Sequence, residues 1–242
     1  MQPPRSASAS AILVGLLLLG AMTLLPVAYH AHRASAPTID VVPRRDLAQE
    51  ARDDLRARGY EPLSASMQAL LADPAYEPIP TQAHTLLLQK APGFSLSDMD
   101  GKTWSLDERL RDGPVLLVFY YGYHCNHCVS QLFALDRDIE KFRELGVQVV
   151  AISADPPELT RERMTQYGRF RFPVLTDVGN KVAEKYEVFV PNMKPEQEGS
   201  LVHGTFIVTR SGKIAWTNRG DGPFTENRTL LHEIARVEGR IP

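Results

Sequence analysis

Apolar positions recur along this chain with three different periods, and each period predicts a different element. Residues 11–28, AILVGLLLLGAMTLLPVA, are 18 consecutive positions without a charge. That length falls between the ~7–15 residues of a signal-peptide core and the ~17–25 of a membrane-spanning helix. Two shorter continuous runs, PVLLVFYYG at 114–122 and VQVVAISA at 147–154, predict parallel strands buried on both faces. Between them Leu132, Leu135, Ile139 and Phe142 are spaced 3, 4 and 3, one face of a single helix, which Gly146 ends. Asp155-Pro156-Pro157 opens another helix, FPVLTD reads as the end of a strand, and GNKVAEKYEV as a short helix. HGTFIVTRSGKIAWTNRG predicts a hairpin turning at Arg210-Ser211-Gly212-Lys213, and TENRTLLHEIARVEG an amphipathic helix. The order βαβα followed by ββα predicts an α/β fold, a central mixed sheet with helices on both faces.

Ahead of this unit the pattern is looser. HTLLLQKAPGFSLSDMDGKTWSL reads as short strands broken by Pro92 and by the Asp100-Gly101 turn. RDLAQEARDDLRARG has a helical composition and stops at Gly59, and four prolines surround one short apolar helix pattern in residues 60–80. The predicted organisation is a signal peptide or membrane anchor at 1–36, an extracytoplasmic spacer with short helices at 37–83, and one domain at 84–242. Arg5 precedes the apolar segment and Ala34-Ser35-Ala36 offers a small-x-small cleavage site, while Arg33, Arg44 and Arg45 lie beyond it. Anchor and cleaved signal both remain open. Either places the rest of the chain outside the cytoplasm, in the periplasm or cell envelope or secreted.

Composition changes this picture little. The chain of 242 residues is 43% hydrophobic and 23% charged with a net charge of -2, an ordinary globular balance that gives no footprint for nucleic acid. Its two cysteines change more. Cys125 and Cys128 are the whole complement, and cysteines three apart close too small a loop to staple a fold. Chemistry at the sulfurs is the stronger reading. They follow a buried strand and open a helix, where free N–H groups and the helix dipole favour a thiolate. Cys125 is expected to be the exposed attacking sulfur, and Cys128, one turn along, the buried resolving one. A thiol lowered from ~8.5 to ~7 gains roughly 16-fold in thiolate at neutral pH. About fivefold is lost in nucleophilicity, so the larger gain is as a leaving group. That suits a dithiol–disulfide cycle.

His124 and His127 flank the cysteines as residues of a solvated loop that, protonated, would support a thiolate. His203 stands at a strand start. Tyr120, Tyr121 and Tyr123 read as core or rim, Trp104 and Trp216 as core, and Asp155 and Asp177 as caps. A c-type haem site needs His after the second cysteine, and position 129 is Val. A structural zinc would need His124 or His127 as fourth ligand beside Cys125, Cys128 and His203.

Residues 84–242 resemble the thioredoxin-fold redoxins of the AhpC/TSA (peroxiredoxin) group, through APGFSLSDMDGKTWSL, PVLLVFYYGYHCNHCVSQLFAL, GVQVVAISAD, FPVLTDVGNKVAEKYEV and GTFIVTRSGKIAW. The resemblance implies a thioredoxin-like three-layer α/β/α fold and a thiol-dependent oxidoreductase without a cofactor, with Cys125 reactive. It also implies an external thiol reductant, thioredoxin-like or a membrane dithiol relay, and a peroxide or protein disulfide as substrate. Two departures stand out. Peroxiredoxins carry Thr or Ser at the position of Gly122 and Arg at that of His203. TlpA-like thiol reductases, also similar, place Trp at the position of His124 and a cis-proline at that of His203. Sco-type copper chaperones share the fold, and their likeness implies an alternative, copper held by Cys125, Cys128 and His203. They space their cysteines by three residues, and this chain by two.

Overall fold

A computed structural model describes residues 46–123, 125–190 and 200–241. The apolar segment 11–28 and the cleavage site expected at 34–36 lie outside the described residues, as does His124. Among the described residues no helix is long and apolar enough to cross a membrane.

The described chain opens with α1 (Leu47–Ala57) and α2 (Met67–Ala72). Asp46 caps α1 by accepting the Gln49 N–H at 2.9 Å. Then follow β1 (Ser95–Asp98) and β2 (Thr103–Ser105), joined through Gly101 at φ +80°, and α3 (Leu106–Arg109). The core of the sheet comes next: β3 (Val115–Phe119), α4 (Asn126–Arg137), α5 (Ile139–Glu144), β4 (Gln148–Ser153), α6 (Pro157–Tyr167), β5 (Val174–Thr176) and α7 (Lys181–Lys185). A two-stranded arm, β6 (Phe189–Val190) with β7 (Ser200–Leu201), precedes the hairpin of β8 (His203–Val208) and β9 (Ile214–Gly220), and α8 (Asn227–Val237) closes the fold.

Seven strands form one mixed sheet in the order β2-β1-β5-β4-β3-β8-β9. β3, β4 and β5 run parallel, and β8, β9, β1 and β2 join antiparallel. Every residue of β3 is buried, because both faces are covered. Leu116 and Val118 point into a cluster with α4, α8 and α1, while Val115, Leu117 and Phe119 point into one with α3 and α7. Two helical layers thus enclose the sheet, the expected three-layer thioredoxin-like α/β/α arrangement.

Three expectations change. The helix predicted across 125–145 is two helices, α4 and α5, broken at Asp138. That residue is buried, and its carboxylate accepts from the Leu63 N–H (2.9 Å), the Tyr60 hydroxyl (2.8 Å) and the Asn227 amide (2.9 Å). Long-range donors hold the break, and no glycine or proline marks it. The residues expected as a spacer do form short helices, but these are packed on the domain: Leu47, Ala48, Ala51 and Met67 share a core with Cys128, Val129 and Leu132. The stretch 84–91 is a strap along β9, where Leu88 N–H bonds the Ile214 carbonyl (2.8 Å) and Ala91 N–H that of Gly212 (2.8 Å). It shields the edge strand.

Candidate active site

The chain leaves β3, turns at Gly122 and enters α4 with Cys125 as its N-cap residue. Cys128 lies one turn along with its amide bonded to the Cys125 carbonyl at 3.1 Å. Cys125 is half-buried and Cys128 fully buried. The two sulfurs are joined as a disulfide with Cα atoms 5.3 Å apart. One sulfur therefore faces outward at the positive end of a helix, and its partner is sealed into the core behind it.

The turn before the cysteines is held from the neighbouring strand. Asp155, expected as a helix or turn cap, does not cap α6, whose N-cap is Pro156. Its carboxylate accepts the Tyr123 N–H at 2.8 Å instead, because β4 runs parallel to β3 and ends beside it. Gly122 sits at φ +97°, and a Cβ there would lie 2.5 Å from Asp155 Oδ1. The carboxylate fills the space that a hydroxyl side chain at position 122 would take. Asp177 does cap, accepting the amides of Val182 and Ala183 at 2.9 Å each. Tyr120 and Tyr123 are buried edge to face, with ring centroids 5.7 Å apart, and burial pushes both phenols up. Trp104 and Trp216 are core residues as read.

His127 and His203 take unequal places. His127 is exposed, with Nε2 3.2 Å from Cys125 Sγ. His203, at the start of β8, is 2% exposed, and the polar groups nearest its ring are the backbone carbonyls of Gly220 and Asp221. Burial, reinforced by neighbouring His127, lowers its pKa to about 4, so it is neutral at physiological pH. Its ring lies 6.4 Å from that of His127 and 5.8 Å from that of Tyr121. The donor atoms of Cys125, His127 and Cys128 all lie within 4.8 Å of one another, and His203 is not in that group. Among the described residues the ligand set brought together thus contains His127 where the copper alternative has His203. Sequence reasoning also missed Glu50, whose carboxylate accepts from the side-chain amide of Asn126, between the two cysteines. No local pattern connects residues 76 positions apart.

A parallel-centred sheet between helical layers, with a paired Cys-x-x-Cys where its central strand meets a helix, defines a thioredoxin-fold redoxin. Residues 87–217 match the AhpC/TSA family, and the chain belongs to it. Among curated proteins the chain is similar to the chloroplastic peroxiredoxin Q of Populus jackii, 37% identical over 100 residues. These are 41% of this chain and 46% of that protein. It is also similar to the thiol-disulfide oxidoreductase ResA of Halalkalibacterium halodurans, 27% identical over 126 residues, 51% of this chain and 68% of that protein. The chain thus spans about half the length of the peroxiredoxin Q relatives it matches. Among solved structures, peroxidoxin BcpB from Mycobacterium tuberculosis superposes with a TM-score of 0.56 at 22% identity, covering 66% of this chain and all of that one. At that identity the likeness is one of fold.

Proposed function

We propose that this protein is an extracytoplasmic thiol–disulfide oxidoreductase that works through Cys125 and Cys128. The observation that carries the reading is the asymmetry of the pair, one sulfur half-exposed at a helix N-terminus and the other fully buried one turn along. In the reductive direction the Cys125 thiolate attacks one sulfur of a substrate disulfide. A mixed disulfide forms and the other substrate sulfur leaves as a thiolate. The Cys128 thiolate then attacks Cys125 Sγ, releasing the second substrate thiolate and leaving the internal disulfide. An external dithiol, thioredoxin-like or a membrane relay, takes over the two electron vacancies by the same exchange in reverse. The uncharged segment 11–28 supports placement outside the cytoplasm, where such a cycle has disulfides to act on.

Protein disulfide is favoured over peroxide by what surrounds Cys125. Reducing a peroxide calls for donors aimed at the oxygens as the O–O bond breaks. Here position 122 is Gly with the Asp155 carboxylate in its side-chain space, and position 203 is a buried neutral histidine. Peroxide is the second reading, favoured by the relatives named peroxiredoxin Q.

Cys128→Ser, reduced and mixed with a disulfide-bonded protein, is expected to accumulate a mixed disulfide through Cys125, visible as a mass adduct and cleared by dithiothreitol. Cys125→Ser forms none. If both variants kept wild-type turnover with thiol substrates and peroxides, the proposal would be wrong.

A further inference from the structure

At the end of the sheet opposite the cysteines lies a cavity of about 530 Å³, within the size range of small-molecule sites. The sheet accounts for it. β5 is three residues long and pairs with β4 only from Ala151 onward. The start of β4, Gln148 and Val149, therefore has β3 on one side and the cavity on the other. The turn of the β1–β2 hairpin and residues 170–173 form its walls.

Its lining pairs an apolar surface with positive charge. Trp104, Ile139, Val149 and Phe172 line it and are buried. Lys102, Arg109, Arg143 and Arg171 line it too, against one carboxylate, Asp98. Asp98 Oδ1 already accepts the backbone amides of Asp100 and Lys102 at 2.9 Å each. Arg143 and Arg171 are held by Glu140 (2.7 and 3.1 Å), and Arg171 also by Asp136 (3.4 Å). The other two cations are less neutralised. Arg109, a third of its side chain exposed, reaches a carboxylate only at 4.0 Å, on Asp112. Lys102 has no ion pair among the described residues. Arg109 and Lys102 therefore bring to the cavity positive charge that no close carboxylate neutralises, as an anion site requires.

We infer that this cavity binds a small organic anion. A flat apolar body lies against Trp104 and Phe172, and a carboxylate, phosphate or sulfonate takes the charges of Lys102 and Arg109. The site is separate from the cysteines and does not depend on their chemistry.

Calorimetric titration of the full chain with naphthalene-2-sulfonate tests this, with sodium sulfate and uncharged naphthalene-2-methanol titrated separately. The expected result is one saturable site for the sulfonate, weaker by about tenfold or more in Lys102→Gln/Arg109→Gln and unchanged in Arg111→Gln, an exposed arginine outside the cavity lining. Binding should quench tryptophan fluorescence, and Trp104→Phe should remove most of that quenching. Lys102→Gln alone, at an exposed position, keeps the test valid should the double variant fold poorly. No saturable binding, equal affinity in both Lys102 variants and the parent, or equal binding of the uncharged naphthalene would overturn the proposal. Sulfate binding as tightly as the sulfonate would overturn the apolar half of it.

Discussion

A side chain at position 122 has nowhere to go. The backbone there lies at φ +97°, in the region that side-chain-bearing residues avoid, and Asp155 occupies the volume. Gly122→Thr should therefore cost about 2–4 kcal/mol, combining backbone strain and overpacking against a carboxylate. Urea unfolding of both proteins measures this, and Asp155→Ala in the Gly122→Thr background should return part of it. A cost below about 0.5 kcal/mol would show that the turn accommodates the side chain. Sequence made part of this site legible. The roles of the two cysteines follow from the strand before them and the helix after. The Asp155–Tyr123 bond and the Glu50–Asn126 bond do not, because each is made by polar residues far apart in the chain whose types suit a helix cap or a solvated helix face equally well.

At the scale of elements, continuous apolar runs were enough to find β3 and β4, since strands covered on both faces admit nothing else. The amino-terminal helices were harder to read. α1 turns only a narrow stripe inward, Leu47, Ala48, Ala51 and Leu55, on a helix otherwise rich in charge. The same pattern fits a helix standing free. In the fold that stripe covers α4 beside Cys128, while Tyr60 and the Leu63 amide supply Asp138 at the α4–α5 break. A chain beginning at residue 87, where the family match starts, should accordingly lose its soluble monomer or melt far below one beginning at residue 44. One beginning at residue 44 keeps both helices and serves as the reference. Thermal unfolding followed by circular dichroism compares these two chains, and equal melting temperatures would show that α1 and α2 are passengers.

For the molecule as a whole, the buried His203 ties stability to pH. Its pKa falls from 6.5 to about 4 on folding, so between these values the unfolded chain binds a proton that the native one refuses. Stability should fall as pH drops through that window and level off below it, by about 3 kcal/mol in total at 1.36 kcal/mol per pKa unit. The groups that face His203 act in both directions. His127 on α4 and Arg58 at the end of α1 oppose its protonation, and backbone carbonyls of Gly220 and Asp221 favour it. Subtracting the unfolding profile of His203→Gln isolates this part, and identical profiles from pH 4 to 7 would refute it. The parallel strands give the fold two unlike ends, the disulfide beyond Phe119 and the exposed β8–β9 turn at Ser211 beside the start of β3. Fixed to a surface through Ser211, the protein would stand with its sulfurs toward solution. The five residues of β3, about 17 Å of strand, would separate them from the support and leave a docking protein room to reach them.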